Sequence, residues 1–501
     1  MYFIPFFLSL CFCCLFCGSL PNFKQSLCFI YFFVFLRFYL LCKSTGLNRL
    51  GGRAHILQTT TAREAFGSRL GFLLACIGSA VGMGNIWMFP IRVCQFGGGA
   101  FLLAYLLFVG ILGFTGVVGE LAFGRAARTG PMGAFSMALA ARGKSPRLGA
   151  ALGMLPVLGS WALAIGYSVV MGWIVRYLLA CWTGSALAPQ GVDGFSAAFR
   201  SVASAFGNNA CILLGLALAF AILALGISAG IETANKVMMP LFFLLFLGLA
   251  LYMAFQPGAE MGYRYLFHID PAALAQPETW VYALGQAFFS LSLAGSGTLI
   301  YGSYLHEGED VIGIAWKVAL SGALAAILSA LVMIPAMAAL GGPLDAGGPG
   351  LMFIYLPYLF QSMQGGPVLA AVFFAGVFLA GITSLVNLYE APIATLQEKW
   401  GMRRLPAVLV LGACSAAAAL LIQGIVEGWM DFVSIYVCPL GAGLAGILFY
   451  WVYGQKFVRE QVQKGRMRPV GRWLEPMTRY VFCGLTLAVC ILGILTPGGI
   501  G

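Results

Sequence analysis

Residues 67–90 read GSRLGFLLACIGSAVGMGNIWMFP, an apolar stretch of spanning length interrupted by Gly78, Ser79, Gly82, Gly84 and Asn85 and closed by Pro90. A segment that crosses a bilayer must satisfy its own backbone amides and carbonyls, so a break at mid-membrane depth persists only where it lines a cavity or binds something. Carbonyls freed at the end of one half-helix attract a cation, and the amides opening the next receive an anionic group. The competing reading is a small-residue packing face between helices, which is common in membranes.

Composition supplies the setting. Of the 501 residues 61% are hydrophobic and 9% charged, too little polar surface to cover a soluble globule, so the chain is a polytopic membrane protein. Its formal net charge of +11 sits in short Lys/Arg stretches between apolar segments, where it sets orientation in the bilayer and is not a nucleic-acid surface. The 14 cysteines have no paired spacing that suggests a metal site or a disulfide framework. With three histidines and no phosphate loop, HExxH or nucleophile elbow, nothing points to an enzyme.

Residues 1–43 hold two Phe- and Cys-rich apolar runs, 2–20 and 27–42, unlike the Ala-, Gly- and Leu-rich body. Residues 1–55 are expected to be an atypical hydrophobic extension, either a leader or a mis-assigned start. From Arg63 the pattern predicts eleven spans, at roughly 68–91, 98–124, 148–179, 209–226, 234–255, 279–304, 313–340, 366–397, 405–424, 431–453 and 478–497. The basic loops 125–147, 398–404 and 456–472 fall on one side of this arrangement, which puts the start of the body in the cytoplasm. Span six carries a second interruption, 285–298, with Ser290, Ser292, Gly295, Ser296 and Gly297. Breaks at corresponding positions of two five-span halves point to an inverted repeat with a site at the midplane. The halves are 63–255 and 279–453, followed by an extra span at 478–497.

These stretches resemble the neurotransmitter:sodium symporter family, with its leucine-transporter fold. The residues that carry the likeness are Arg63-Glu64, Ser68-Arg69-Leu70-Gly71, the run from Gly78 to Trp87, Phe89-Pro90, Gly97 to Phe101, Gly119-Glu120, Gly166-Tyr167-Ser168, Gly285 to Leu293 and Ala380 to Ser384. The resemblance covers the chain from Arg63 to its end and implies an all-α membrane protein of the eleven-span bacterial type, built as a 5+5 inverted repeat with helices one and six broken. It implies sodium-coupled symport of a neutral amino acid into the cell across the inner membrane, with the substrate, sodium and the lipid bilayer as partners and no covalent chemistry. A sodium-dependent permease for a related zwitterion, or a non-transporting amino acid receptor, is the alternative.

The same resemblance assigns residues. The amino acid's carboxylate meets the amides of Met83 and Gly84 and the Tyr167 hydroxyl, and its ammonium meets the carbonyls of Ala80, Phe289 and Ser290 and the Ser292 hydroxyl. Leu163, Tyr167, Phe289, Gly295, Ser384 and Leu388 surround the side chain. Gly295 stands where the family often has a bulky residue, so a large apolar or aromatic side chain is expected. One sodium uses Ala80, Asn85, Ser290, Ser321 and the substrate carboxylate; a second uses the carbonyls of Gly78, Val81 and Ala380 with the hydroxyls of Thr383 and Ser384. Hydroxyl, amide and carbonyl oxygens suit a hard cation, although Thr383 and Ser384 also have the option of bonding back to their own helix. A chloride position near Tyr105, Gln286, Ser290, Ser321 and Ala325 lacks a hydroxyl or charge at Ala325, which argues against tight chloride dependence. An outer gate of Arg92 with Asp431 replaces the usual arginine, since Met88 occupies that place. The inner gate is Arg63 with Glu398 and nearby Tyr304.

Overall fold

The computed structural model divides the chain into two units, Met1–Arg63 and Glu64–Gly501, and the structure describes residues 64–293, 296–339 and 350–496. The expected extension at 1–55, together with Arg63 and Gly295, lies outside the described residues.

Apolar runs satisfy their backbone groups internally by forming helices. In order these are α1 (Arg69–Ala80), α2 (Gly84–Gln95), α3 (Gly99–Ala127), α4 (Pro131–Ala140), α5 (Pro146–Trp182), α6 (Gly191–Ala203), α7 (Asn209–Ala224), α8 (Ile227–Ala254) and α9 (Ala259–Phe267). They continue with α10 (Pro277–Ser290), α11 (Gly297–Gly302), α12 (Val311–Ala339), α13 (Leu351–Ser362), α14 (Gly366–Trp400), α15 (Arg404–Leu421), α16 (Gln423–Tyr453), α17 (Gln455–Gln463) and α18 (Leu474–Leu495). Among the described residues eight of these are long and apolar enough to cross a membrane, and α1 with α2 forms a ninth bent by 53°. The predicted fourth span, α7, has 16 residues, and the sixth is divided into α10 and α11. Both fall short of a full crossing length while occupying the predicted segments. Leu244, Leu251, Leu409 and Leu487 on the outer helices are exposed, as a lipid-facing surface requires.

Both breaks form where the sequence places them. Helix α1 is capped at its start by the Ser68 hydroxyl, which accepts from the Gly71 amide, and it ends at Ala80 because Val81 leaves helical geometry with ψ 75°. The chain resumes through a π-helical turn, Gly84–Met88, a local widening that is frequent at functional sites, and Pro90 sits in the first turn of the α-helix that follows. In the sixth segment α10 stops at Ser290, and Ser292 and Ser296 both take left-handed backbone angles, φ 53° and 58°. Such angles cost a residue with a side chain roughly 1–3 kcal/mol each and cluster at functional sites.

Small residues bring the neighbouring helices onto these breaks. A Cβ added at Gly124 on α3 would overlap the Leu299 carbonyl of α11, and one at Gly302 would come within 2.6 Å of the Leu121 carbonyl. On the other side, a Cβ at Gly381 of α14 would meet the Met171 sulfur of α5 at 2.7 Å. The four broken-helix ends are thus held between α3, α5, α12 and α14.

Candidate functional site: a cavity between the broken helices

The helix ends enclose a cavity of about 40 Å³. Seven predicted substrate residues line it: Ala80, Leu163, Tyr167, Phe289, Ser292, Ser384 and Leu388. Met83, Gly84 and Ser290 lie behind that surface, with Met83 and Ser290 each 2% exposed. The Phe289 ring presses so closely on Gly84 that an added Cβ would overlap it, and Gly82 approaches the Ser384 hydroxyl to within 3.4 Å of where its Cβ would stand. Tyr167 is buried, with its hydroxyl beside the Gly84 backbone amide. Ser79 and Gly297, read from the sequence only as residues of the breaks, also line the cavity, as does Asn387, which the sequence did not single out.

Next to it lies the first predicted ion position. The Ser290 hydroxyl donates to Asn85 Oδ1 at 2.5 Å, Asn85 Nδ2 donates to the Ala80 carbonyl at 2.8 Å, and Gln286 Nε2 donates to the Ser290 hydroxyl at 3.2 Å. Ser321 is not what faces this cluster. A Cβ on Gly322 would lie 3.5 Å from the Ser290 carbonyl and 3.6 Å from the Ala80 side chain, and Asn85 Nδ2 reaches toward the Gly322 carbonyl at 3.5 Å. Ser321, turned by about 100° on the helix, is half-buried next to the exposed stripe of Lys317, Leu320 and Leu324. Leucine substitutions separate the two positions: Gly322→Leu is expected to lower sodium-dependent amino acid binding at least about tenfold by overfilling the site, whereas Ser321→Leu changes it less than about threefold, as surface substitutions do. Equilibrium binding to the purified variants checks this. Of the residues expected around a chloride, Tyr105, Gln286 and Ser290 converge, and Ala325 has only a buried methyl.

Of the second predicted ion position, Gly78 of α1 lies against Thr383 of α14. A Cβ on Gly78 would stand 3.1 Å from that of Thr383. The hydroxyls of Thr383 and Ser384 both bond back to the Ala380 carbonyl at 3.0 Å, so their oxygens are held on the helix face toward α1. Asn235 of α8, which the sequence reading passed over, abuts Gly78, and its buried Oδ1 has no hydrogen-bond partner. Among the described residues no group of three or more His, Cys, Asp or Glu is arranged to hold a metal ion. The oxygens available to a cation are therefore hydroxyls, amides and carbonyls, the donor set for a hard ion.

The model of the Sodium:neurotransmitter symporter family matches residues 63–189 and 195–498. The chain belongs to that family. An uncharacterised sodium-dependent transporter of Bacillus subtilis is 33% identical over 331 residues, 66% of this chain and 71% of that protein. An uncharacterised sodium-dependent transporter of Methanocaldococcus jannaschii is 29% identical over 460 residues, covering 87% of this chain and 92% of that protein. The crystal structure of MhsT in complex with L-phenylalanine superposes with a TM-score of 0.76 at 30% identity, over 86% of this chain and 99% of that one. The protein is thus a multi-span, sodium-dependent symporter with the leucine-transporter fold, and its relatives are transporters, not enzymes.

In the symporter the residues expected at the gates have partners the sequence did not disclose. The Arg92 guanidinium lies over the Tyr282 ring at 4.4 Å and near that of Phe96 at 5.8 Å, within electrostatic range of Asp431. Tyr304 donates to Glu390 Oε1 at 2.7 Å, and Glu390 forms a buried ion pair with Arg404 at 2.8 Å, which also lies 3.5 Å from Glu64. Glu398 accepts from the Thr129 hydroxyl at 2.6 Å and the Gly130 amide at 2.9 Å, at the start of α4 where a carboxylate is favoured. Beside α1, Glu232 of α8 accepts from the Gly67 amide at 2.5 Å and the Ser68 hydroxyl at 2.7 Å, and pairs with Lys236 at 2.6 Å. The available signal for Glu232, Glu390 and Asn235 was an expensive polar side chain inside an apolar span.

Proposed function

We propose that the symporter couples inward sodium movement to uptake of a neutral, apolar or aromatic amino acid by alternating access. The observation that carries this reading is that both interrupted helices end on one cavity, flanked by Tyr167 and Ser384. Helix ends offer complementary partial charges to a zwitterion without burying an unpaired full charge. The carboxylate sits at the amides of Met83 and Gly84 and the Tyr167 hydroxyl, and the ammonium at the carbonyls of Ala80, Phe289 and Ser290 with Ser292.

One sodium is bound by Ala80, Asn85 and Ser290 together with the substrate carboxylate, with Gly322 in place of Ser321 beside them. A second is bound by Gly78, Val81, Ala380, Thr383 and Ser384. That ion ties α1 to α14, so its binding favours the state with the inner side closed, and coupling follows from its different affinity for the two states. Arg92 with Asp431 closes the outer side; Arg63, Tyr304 and Glu398 close the inner side. The repeats are 63–255 and 279–453, the start of the body is cytoplasmic in the cell's inner membrane, and transport does not depend tightly on chloride.

The second sodium position is tested by Thr383→Val combined with Ser384→Ala. Losing two oxygen ligands is expected to raise the sodium concentration for half-maximal amino acid binding at least about tenfold, measured by titrating sodium against binding to purified protein. An unchanged sodium titration contradicts this assignment.

A further inference from the structure

The cavity wall is not uniformly apolar. Leu163, Phe289 and Leu388 supply hydrocarbon, but Ser79 and Asn387 add polar groups that the chain itself barely uses. Ser79 is 7% exposed, and its hydroxyl is buried without a hydrogen-bond partner. Asn387 is 2% exposed, and Nδ2 makes one long bond, 3.4 Å to the Gly297 carbonyl. Its side chain also neighbours the Tyr301 hydroxyl; a primary amide offers two N–H donors and a carbonyl with two lone pairs, so part of its capacity remains available to whatever enters. Ser292, by contrast, is engaged: its hydroxyl donates to the Ser79 carbonyl at 2.5 Å.

Both groups are carried on helices. Ser384, Asn387 and Leu388 stand three and four positions apart on α14 and share one face, so that face presents a hydroxyl, an amide and an isobutyl group to the cavity. Ser79 is in the last turn of α1. A smaller cavity of about 10 Å³, space for about one water, shares Ser79 and Ser292 with the first and continues past Thr298 and Tyr301. Here the Tyr301 hydroxyl is buried, with the Asn387 amide as its polar side-chain neighbour. Buried polar groups in proteins are almost always paired, and a binding cavity is where the partner arrives with the ligand.

Resting on the amino acid reading above, we infer that the symporter selects side chains ending in a hydrogen-bonding group over hydrocarbon side chains of the same size, with Ser79 and Asn387 reading that group. The favoured class is hydroxyl-, phenol- or indole-bearing neutral amino acids. A site built to bond a substrate hydroxyl discriminates strongly against the analogue that lacks it, because its own polar groups are then left unpaired. A purely apolar pocket would show no such preference.

Isosteric pairs provide the test. Purified full-length protein in proteoliposomes takes up the best labelled neutral amino acid, and tyrosine against phenylalanine and threonine against valine serve as competitors. In the size class that competes, the hydroxylated member is expected to be stronger by about tenfold or more. Ser79→Ala and Asn387→Leu should each bring that ratio below about threefold, the loss of one hydrogen bond. A merely structural role for Asn387, holding α11 to α14, would weaken both members alike and leave the ratio unchanged, which overturns the inference. A wild-type ratio near one or below it also overturns it and does not depend on any variant folding. Sodium-driven uptake with such a ratio leaves the amino acid reading intact, while absence of sodium-driven uptake of any amino acid removes both.

Discussion

Replacing Glu390 with alanine is expected to destabilise the symporter by about 3–5 kcal/mol, the cost of leaving one buried charge without its partner. Glu390 is fully buried and holds Arg404 through both carboxylate oxygens, at 3.2 and 2.8 Å, while accepting from Tyr304. Two parallel charge-assisted bonds of this kind are among the stronger polar contacts in proteins. Beyond Glu390, Arg404 has a bond from Nε to the Leu223 carbonyl at 2.7 Å, which does not neutralise it, and a looser contact at 3.5 Å with the half-exposed Glu64 carboxylate, which offsets its charge only in part. Exchanging both members, Glu390→Leu with Arg404→Leu, should recover most of the loss, because a well-packed apolar pair often matches a buried ion pair in stability. Thermal denaturation of the purified single and double variants measures this. Equal destabilisation in both would show that the local packing, not the stranded guanidinium, carries the effect. Because Tyr304 follows α11 and Glu390 lies on α14, the single variant is also expected to loosen the inner side.

Gly84→Val is expected to lower amino acid uptake by roughly five- to 150-fold, the range to which overpacking of one to three kcal/mol at a binding surface converts. The first added carbon already overlaps the Phe289 ring, which itself lines the cavity, so relief by rotating that ring fills the site. Two consequences follow from the geometry. Gly84→Val combined with Phe289→Ala should regain part of the lost uptake, because the obstructing ring is gone. If the double variant is as inactive as Gly84→Val alone, the damage comes from the backbone of the π-helical turn and not from the collision.

The two breaks were legible in the sequence because their cause is local: glycine and serine runs inside otherwise apolar segments, with Pro90 marking where α2 takes hold. The spans were legible for the same reason, as lengths of hydrocarbon. What depends on register between distant helices was not. Ser321 and Gly322 are adjacent in a helix of alanine, leucine and glycine with no polar period, so nothing in the sequence states which one faces Ala80 and Ser290. Arg404 looked like a basic loop residue setting orientation, because its partner Glu390 lies a full four turns back along the chain, across the bend from α14 to α15. Asn387, one residue from the predicted Leu388, escaped notice because the resemblance transferred only the positions of its motifs, and Asn387 is not among them.

Coupling is tested most directly by accumulation of a labelled neutral amino acid in proteoliposomes holding the purified protein, with and without an inward sodium gradient. Concentrative uptake that requires sodium, collapses when an ionophore dissipates the gradient and disappears in Tyr167→Ala is the predicted result. Sodium-dependent binding without accumulation, or accumulation indifferent to sodium, would contradict symport through this site.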